Sequence, residues 1–160
     1  MCGIAGFLAF DGRPADPGVL AAMGKSLAHR GPDGDGTFRD GGLGLAHRRL
    51  SIVDLAAGHQ PMYNEDDSVC IVFNGELYNF QPLVQELVAI GHRFRTRCDT
   101  EVIVHGWEEW GPSCLDRFNG MFAFALWDGN RQQVFLARDR LGVKPLFHAT
   151  LADGTFLFAS

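Results

Sequence analysis

The chain has 160 residues, the size of one domain, with 46% hydrophobic and 21% charged residues. That apolar fraction excludes a disordered chain, and no uncharged apolar run is long enough to span a membrane. A net charge of −5 at pH 7 argues against a nucleic-acid-binding surface.

In chain order, Ile4 to Phe10 is predicted as a buried strand that starts almost at the N-terminus. Asp16 is placed to cap a helix over Pro17 to His29, whose Val19, Leu20, Met23 and Leu27 share one face. The Gly- and Pro-dense segment 30–36 predicts turns and loop. Short strands are expected at Gly44 to Arg48 and Val69 to Asn74. Leu83, Val84, Leu87 and Val88 predict a helix over Gln81 to Ile90, stopped by Gly91. Another helix is expected over Thr100 to Trp110, with Val102, Ile103 and Trp107 on one side.

The last third changes character. Met121 to Asp128, Val134 to Arg138, Leu146 to Thr150 and Phe156 to Ala159 are aromatic-rich strands in this reading. Hairpin turns fall at Asp128-Gly129-Asn130 and Asp153-Gly154. Strand-rich stretches flanking two or three helices predict an α+β fold with mainly antiparallel sheets. With 13 Phe there is enough aromatic volume to fill the space between two layers. No linker or repeat interrupts the pattern, so one continuous domain is expected.

The four cysteines, Cys2, Cys70, Cys98 and Cys114, form no CxxC pair and no zinc-finger spacing. With no signal peptide and no N-x-S/T acceptor, the expected setting is reducing and cytoplasmic. Cys70, Cys98 and Cys114 lie in apolar or mixed runs and are expected to pack inertly. Phosphate-loop, GxSxG and HExxH motifs are absent, so neither a serine triad nor a metal is expected to carry catalysis, and no metal ligand is assigned.

Cys2 differs from the others. Removal of Met1 leaves a residue carrying both a thiol and a free α-amine, whose ordinary pKa of about 7.7–8.0 suits it to act as base for that thiol. The plain alternative is a small residue ahead of a strand. Asn74-Gly75 follows an apolar run and can present a side-chain amide beside an unencumbered backbone N–H, two donors suited to an oxyanion. By itself that dipeptide also suits a hairpin turn. Arg49 can grip a carboxylate with two parallel bonds, or simply lie on the surface. Asp99 can accept from an ammonium, or cap the following helix. An Arg and an Asp together suit an α-amino acid, since both of its charges need partners once desolvated.

These residues sit within longer matching segments: Met1 to Gly6, His29 to Asp33, Arg49 to Asp54, Gln60 to Met62, Asn74 to Asn79, Asp99 to Glu101, Gly120 to Ala125 and Arg138 to Leu146. In that order they resemble the class II, N-terminal-nucleophile glutamine amidotransferase domain, and specifically the glutaminase half of asparagine synthetases. The resemblance implies an Ntn-hydrolase fold, a four-layer αββα sandwich with two mainly antiparallel sheets. It implies that Cys2 attacks the side-chain amide of L-glutamine and passes through a γ-glutamyl thioester, with Asn74 and Gly75 forming the oxyanion hole. Arg49 would then hold the substrate carboxylate, and Asp99 and Glu76 its ammonium. The backbone of Leu50, Ile52 and Val53 would line the same pocket.

No cofactor is implied for this half-reaction. ATP and Mg belong to the synthetase domain that normally follows in the family, and no SGGxDS-type segment occurs here. A piece of a longer protein is therefore expected, with its own C-terminal synthetase domain as partner, a homodimer left open, and neither nucleic acid nor membrane as partner.

Two alternatives stay open. The same glutaminase can serve a related amidotransferase that acts on a different carboxylate, or the fold can be a module that binds glutamine or a partner without turnover. Glucosamine-6-phosphate synthase and amidophosphoribosyltransferase share the nucleophile, but Arg49 to Ile52 and Gly120 to Phe124 favour the synthetase branch. Arg30 and Asp33 are expected to order the loop over the nucleophile. Asp139 and Lys144 are expected to face the synthetase domain. His47, His92, His105 and His148 are expected on the surface or in simple hydrogen bonds, and Glu108 and Glu109 on a solvated helix face.

Overall fold

A computed structural model describes residues 2–51 and 58–160. Strand β1 (Gly3–Leu8) opens the chain. Helix α1 (Pro17–Ser26) follows, capped by Asp16, whose Oδ1 accepts from Gly18 N at 2.6 Å and Val19 N at 3.1 Å. The helix ends three residues earlier than the apolar spacing suggests. Strands β2 (Gly34–Asp40) and β3 (Leu43–Arg49) form a hairpin, so a strand replaces the end of the expected loop. Strand β4 (Met62–Tyr63) pairs with β5 (Val69–Leu77).

Helix α2 (Phe80–Ala89) buries Leu83 and Leu87, and Gly91 at φ 112° turns the chain away after it. Helix α3 (Asp99–Trp110) is buried along its first nine residues and runs into a 3-10 turn at Gly111–Asp116. Strands β6 (Gly120–Asp128), β7 (Gln133–Arg138), β8 (Phe147–Thr150) and β9 (Phe156–Ala159) complete the chain, with the two hairpin turns where the sequence places them.

The strands build two antiparallel sheets, one in the order β2-β3-β1-β9-β8 and one in the order β4-β5-β6-β7. Strand alternation then sorts the side chains into three cores. Phe7 and Ala46 turn outward from the first sheet onto Leu20 of α1. Ile4, Leu43 and Leu45 turn inward onto Cys70, Val72, Ala123 and Ala125 of the second sheet. Ile71, Phe73, Phe122 and Phe124 turn outward from that sheet onto α2 and α3. The layers are therefore helix, sheet, sheet, helix. Phe124 is fully buried in the core under α2 and α3, where truncation to Ala costs about 3–5 kcal/mol.

Candidate active site

The same alternation decides which polar side chains enter the space between the sheets. Cys2 has the parity of Ile4, and His47 and Arg49 that of Leu43 and Leu45. Asn74 and Glu76 follow Cys70 and Val72, and Met121 precedes Ala123 in the same phase. At one end of the sandwich the apolar run therefore gives way to polar groups. They line a cavity of about 160 Å³ that includes Cys2, Arg49, Leu50, Asn74, Gly75, Glu76, Asp99, Gln60, Thr100, Met121 and Lys144. That is small against the roughly 300–1,000 Å³ of pockets for drug-sized ligands, and points to a small solute.

Cys2 lies across from the end of β3. Its Sγ accepts from Leu50 N at 3.4 Å and donates to Leu50 O at 3.6 Å, so the thiol is half-buried and held against the turn that follows Arg49. Asp33 fastens that turn: its N–H donates to Arg49 O at 3.0 Å and its Oδ2 accepts from Ser51 N at 2.8 Å. The supporting role read for Asp33 matches this contact. Arg49 itself is 6% exposed, a buried guanidinium rather than a surface one.

Asn74 and Gly75 lie inside β5 and not at a turn. Gly75 stands opposite Phe122, and Phe122 uses its backbone O and N on Asp139 N and Asp139 Oδ2. Gly75 and Phe122 are thus a pair that exchanges no hydrogen bonds, and the Gly75 N–H turns to the other edge of the strand. Along that edge Phe73 N donates to Gln60 Oε1 at 2.6 Å and Leu77 N to Asp99 Oδ2 at 2.8 Å. Gly75 N lies between them, facing the cavity. A Cβ at this position would run into Met121 O, which is why glycine is needed here. The side chain of Asn74 is 1% exposed, and its Nδ2 has no hydrogen-bond partner among the described residues. An orphaned buried donor costs about 1–3 kcal/mol.

Asp99 is not the helix cap, since Cys98 holds that position; its carboxylate reaches across to β5. Burial pushes the Asp99 carboxyl above the usual range and the nearby charge of Glu76 adds to this, while the N–H of Leu77 pulls the other way. Two acids share one end of the cavity, a place suited to a cation. Gln60 bridges β5 and α3, its Nε2 donating to Thr100 Oγ1 at 3.4 Å.

The structure corrects several readings. Asp139 and Lys144 do not face outward: they are 6% and 5% exposed, and Lys144 lines the cavity. Burial raises the Asp139 carboxyl, but the N–H groups of Lys144, Val143 and Phe122 outweigh it and hold the group below the usual carboxylate range. Of the two readings of His47, surface or hydrogen-bonded, the second holds: the ring is buried, with Nε2 donating to Phe73 O at 3.2 Å. Glu108 is only partly exposed, and it is engaged: Asn64 Nδ2 donates to it at 2.8 Å and His105 Nδ1 lies 2.8 Å from it. As expected for inert packing residues, Cys70, Cys98 and Cys114 are buried, and burial pushes their thiols up to about 12, 11 and 12. Ile52 and Val53 lie outside the described residues. Gln60 had no role in the sequence reading and Lys144 none in the pocket; the signal was their place in motif segments, with no spacing to link them to Cys2.

Comparison with known proteins follows the same lines. The model of the glutamine amidotransferase domain family matches residues 1–160. Asparagine synthetase [glutamine-hydrolyzing] 3 of Bacillus subtilis is 43% identical over 163 residues, covering all of this chain and 26% of its own length. Asparagine synthetase [glutamine-hydrolyzing] 2 of Arabidopsis thaliana is 42% identical over 161 residues, covering all of this chain and 28% of its own length. The chain thus spans about a quarter of the length of these relatives. A glutamine phosphoribosylpyrophosphate amidotransferase from B. subtilis superposes with a TM-score of 0.75 at 22% identity, covering 99% of this chain and 41% of that one, which shows the fold. Among the described residues, no helix is long and apolar enough to cross a membrane.

Proposed function

Because the chain belongs to the glutamine amidotransferase domain family, we propose that it hydrolyses L-glutamine to glutamate and ammonia, with Cys2 as nucleophile. The observation that carries this reading is the buried Nδ2 of Asn74, which has no hydrogen-bond partner among the described residues and lines one cavity with Cys2 and Gly75. A fold keeps such an orphan where a ligand atom supplies the missing acceptor.

Once Met1 is removed, the α-amine of Cys2 takes the thiol proton and the thiolate attacks the side-chain carbonyl carbon of glutamine. The oxyanion that forms accepts from Asn74 Nδ2 and Gly75 N–H. The amine passes its proton to the amide nitrogen, the C–N bond breaks, and ammonia leaves a γ-glutamyl thioester. Water then attacks the thioester, the C–S bond breaks, and glutamate and the free thiol return. Arg49 pairs with the substrate carboxylate, and Asp99 with Glu76 pairs with its ammonium; burial makes each charge dependent on its partner. Leu50 supplies backbone beside the thiol. This sequence of steps draws on protein groups and water, with no metal or cofactor assigned to it.

The names of the relatives support a further assignment, that in the whole protein the ammonia serves asparagine synthesis, and the family resemblance adds ATP, aspartate and a following synthetase domain to that assignment. Glutamate release from L-glutamine by this chain and by Cys2→Ala, with intact mass reporting the N-terminus, tests the glutaminase. Turnover by the processed chain and none by the variant is the expected result. Equal turnover by both would sink the assignment of Cys2.

A further inference from the structure

We propose that His92, His105 and Glu108 form a binding site for one divalent transition-metal ion of the zinc type, separate from the glutamine cavity. His105 and Glu108 stand three residues apart on one face of α3, and His92 enters from the segment that follows α2. One ligand atom from each of the three residues can be chosen so that all lie within 4.8 Å of one another.

The hydrogen bonds around the cluster determine which atoms face inward. Glu108 Oε1 is held by Asn64 Nδ2 at 2.8 Å, which turns Oε2 toward both imidazoles, 2.8 Å from His105 Nδ1 and 3.7 Å from His92 Nδ1. Ligands at about 2.0–2.2 Å from a tetrahedral zinc lie roughly 3.3–3.5 Å apart, so small rotations about these side chains admit an ion.

The far nitrogen of each ring faces its own carboxylate. His105 Nε2 lies 3.7 Å from Glu101 Oε1, and His92 Nε2 lies 3.5 Å from Glu109 Oε2. A carboxylate behind the distal nitrogen is the usual support for a metal-bound imidazole. Glu101 belongs to that outer layer and not to the ligand set. Its oxygens already accept from Arg95 N at 2.7 Å, Thr96 N at 2.8 Å and Thr96 Oγ1 at 2.6 Å.

His105 is 1% exposed, and its Nε2, the nitrogen turned away from the ion, faces Glu101 at 3.7 Å, beyond hydrogen-bond reach. A bound metal at Nδ1 makes Nε2 an N–H donor, and Glu101 is the acceptor it meets. Glu108 and His92 keep 24% and 17% of their side-chain surface exposed, and Glu108 lines an adjoining cavity of about 270 Å³, which leaves a way in and a position for water.

The test uses the Cys2→Ala chain, which removes the one cysteine that is not buried. Zinc titrated against a chromophoric chelator should bind at one equivalent, and cobalt at one equivalent should give a visible absorption band. His92→Ala and Glu108→Gln should each weaken binding by about tenfold or more and abolish the cobalt band. His148→Ala, on an exposed strand, should change neither. No saturable binding, or one equivalent that survives both substitutions, overturns the proposal. His92 is partly exposed, so its variant is expected to keep its fold, and the far-ultraviolet spectrum of each variant checks this.

Discussion

Asp99 Oδ2 accepts from Leu77 N at 2.8 Å, and this contact carries the first turn of α3 across to the edge of β5 beside Gly75. The carboxylate therefore holds the backbone with one oxygen and offers charge to the cavity. Asp99→Asn keeps an oxygen for Leu77 but removes the charge. We expect the fold to survive and KM for glutamine to rise about 10- to 100-fold, the value of one charged hydrogen bond, with kcat changed far less. An unchanged KM would show that the ammonium is held elsewhere.

Retention of Met1 converts the α-amine of Cys2 to an amide nitrogen, which cannot take a proton. A chain with confirmed intact Met1 should release negligible glutamate while still showing glutamine-dependent protection against thermal unfolding. Full turnover by that species rules out the α-amine as base.

Local signals made most of the elements legible. Asp16 with Pro17 announces α1, Leu83 and Leu87 announce α2, and the glycine turns divide the last four strands. Strand β2 was hidden because Gly34 and Gly36 belong to turns by propensity. Gly36 is extended because it pairs with His47 of β3, and it must be glycine because Gln60 O packs where a Cβ would stand, a contact made by distant chain. The extension of β5 past Asn74-Gly75 was hidden likewise, since only pairing with β6 keeps a turn-prone dipeptide extended. In the site, Cys2, Asn74, Arg49 and Asp99 could be read from residue type and motif. Lys144 and Gln60 could not, because what brings them to the cavity is the packing of the strands and their connections. The approach of His92 to His105 was equally unreadable at a separation of thirteen residues.

Asn74→Ala separates catalysis from stability. The side chain of Asn74 is buried with its Nδ2 unsatisfied among the described residues, so its removal also removes a desolvation cost of about 1–3 kcal/mol that offsets the cavity left behind. We expect a melting temperature within a few degrees of the parent and a kcat lower by about 100- to 1,000-fold, the usual loss on removing one oxyanion donor. A large loss of stability with kcat intact would assign Asn74 to the core alone.

His47 should set part of the acid sensitivity of the fold. Its Nε2–H donates to Phe73 O, its buried Nδ1 has no partner among the described residues, and it stands near Arg49. Burial is the main reason that its pKa falls from 6.5 to about 4; the carbonyl of Phe73 opposes this and Arg49 reinforces it. The folded protein thus needs the neutral ring, whereas the unfolded chain takes up a proton near pH 6.5. This group's stabilisation is complete above that pH and is lost as pH falls toward 4, by about 3 kcal/mol over the whole window. Glutamine at this position keeps a donor for Phe73 O and cannot titrate. Urea unfolding at pH 7 and pH 5 should therefore show wild type losing about 2 kcal/mol more than His47→Gln. Equal losses in the two proteins would mean that the imidazole is solvated enough to charge in place, and that the acid sensitivity comes from other groups.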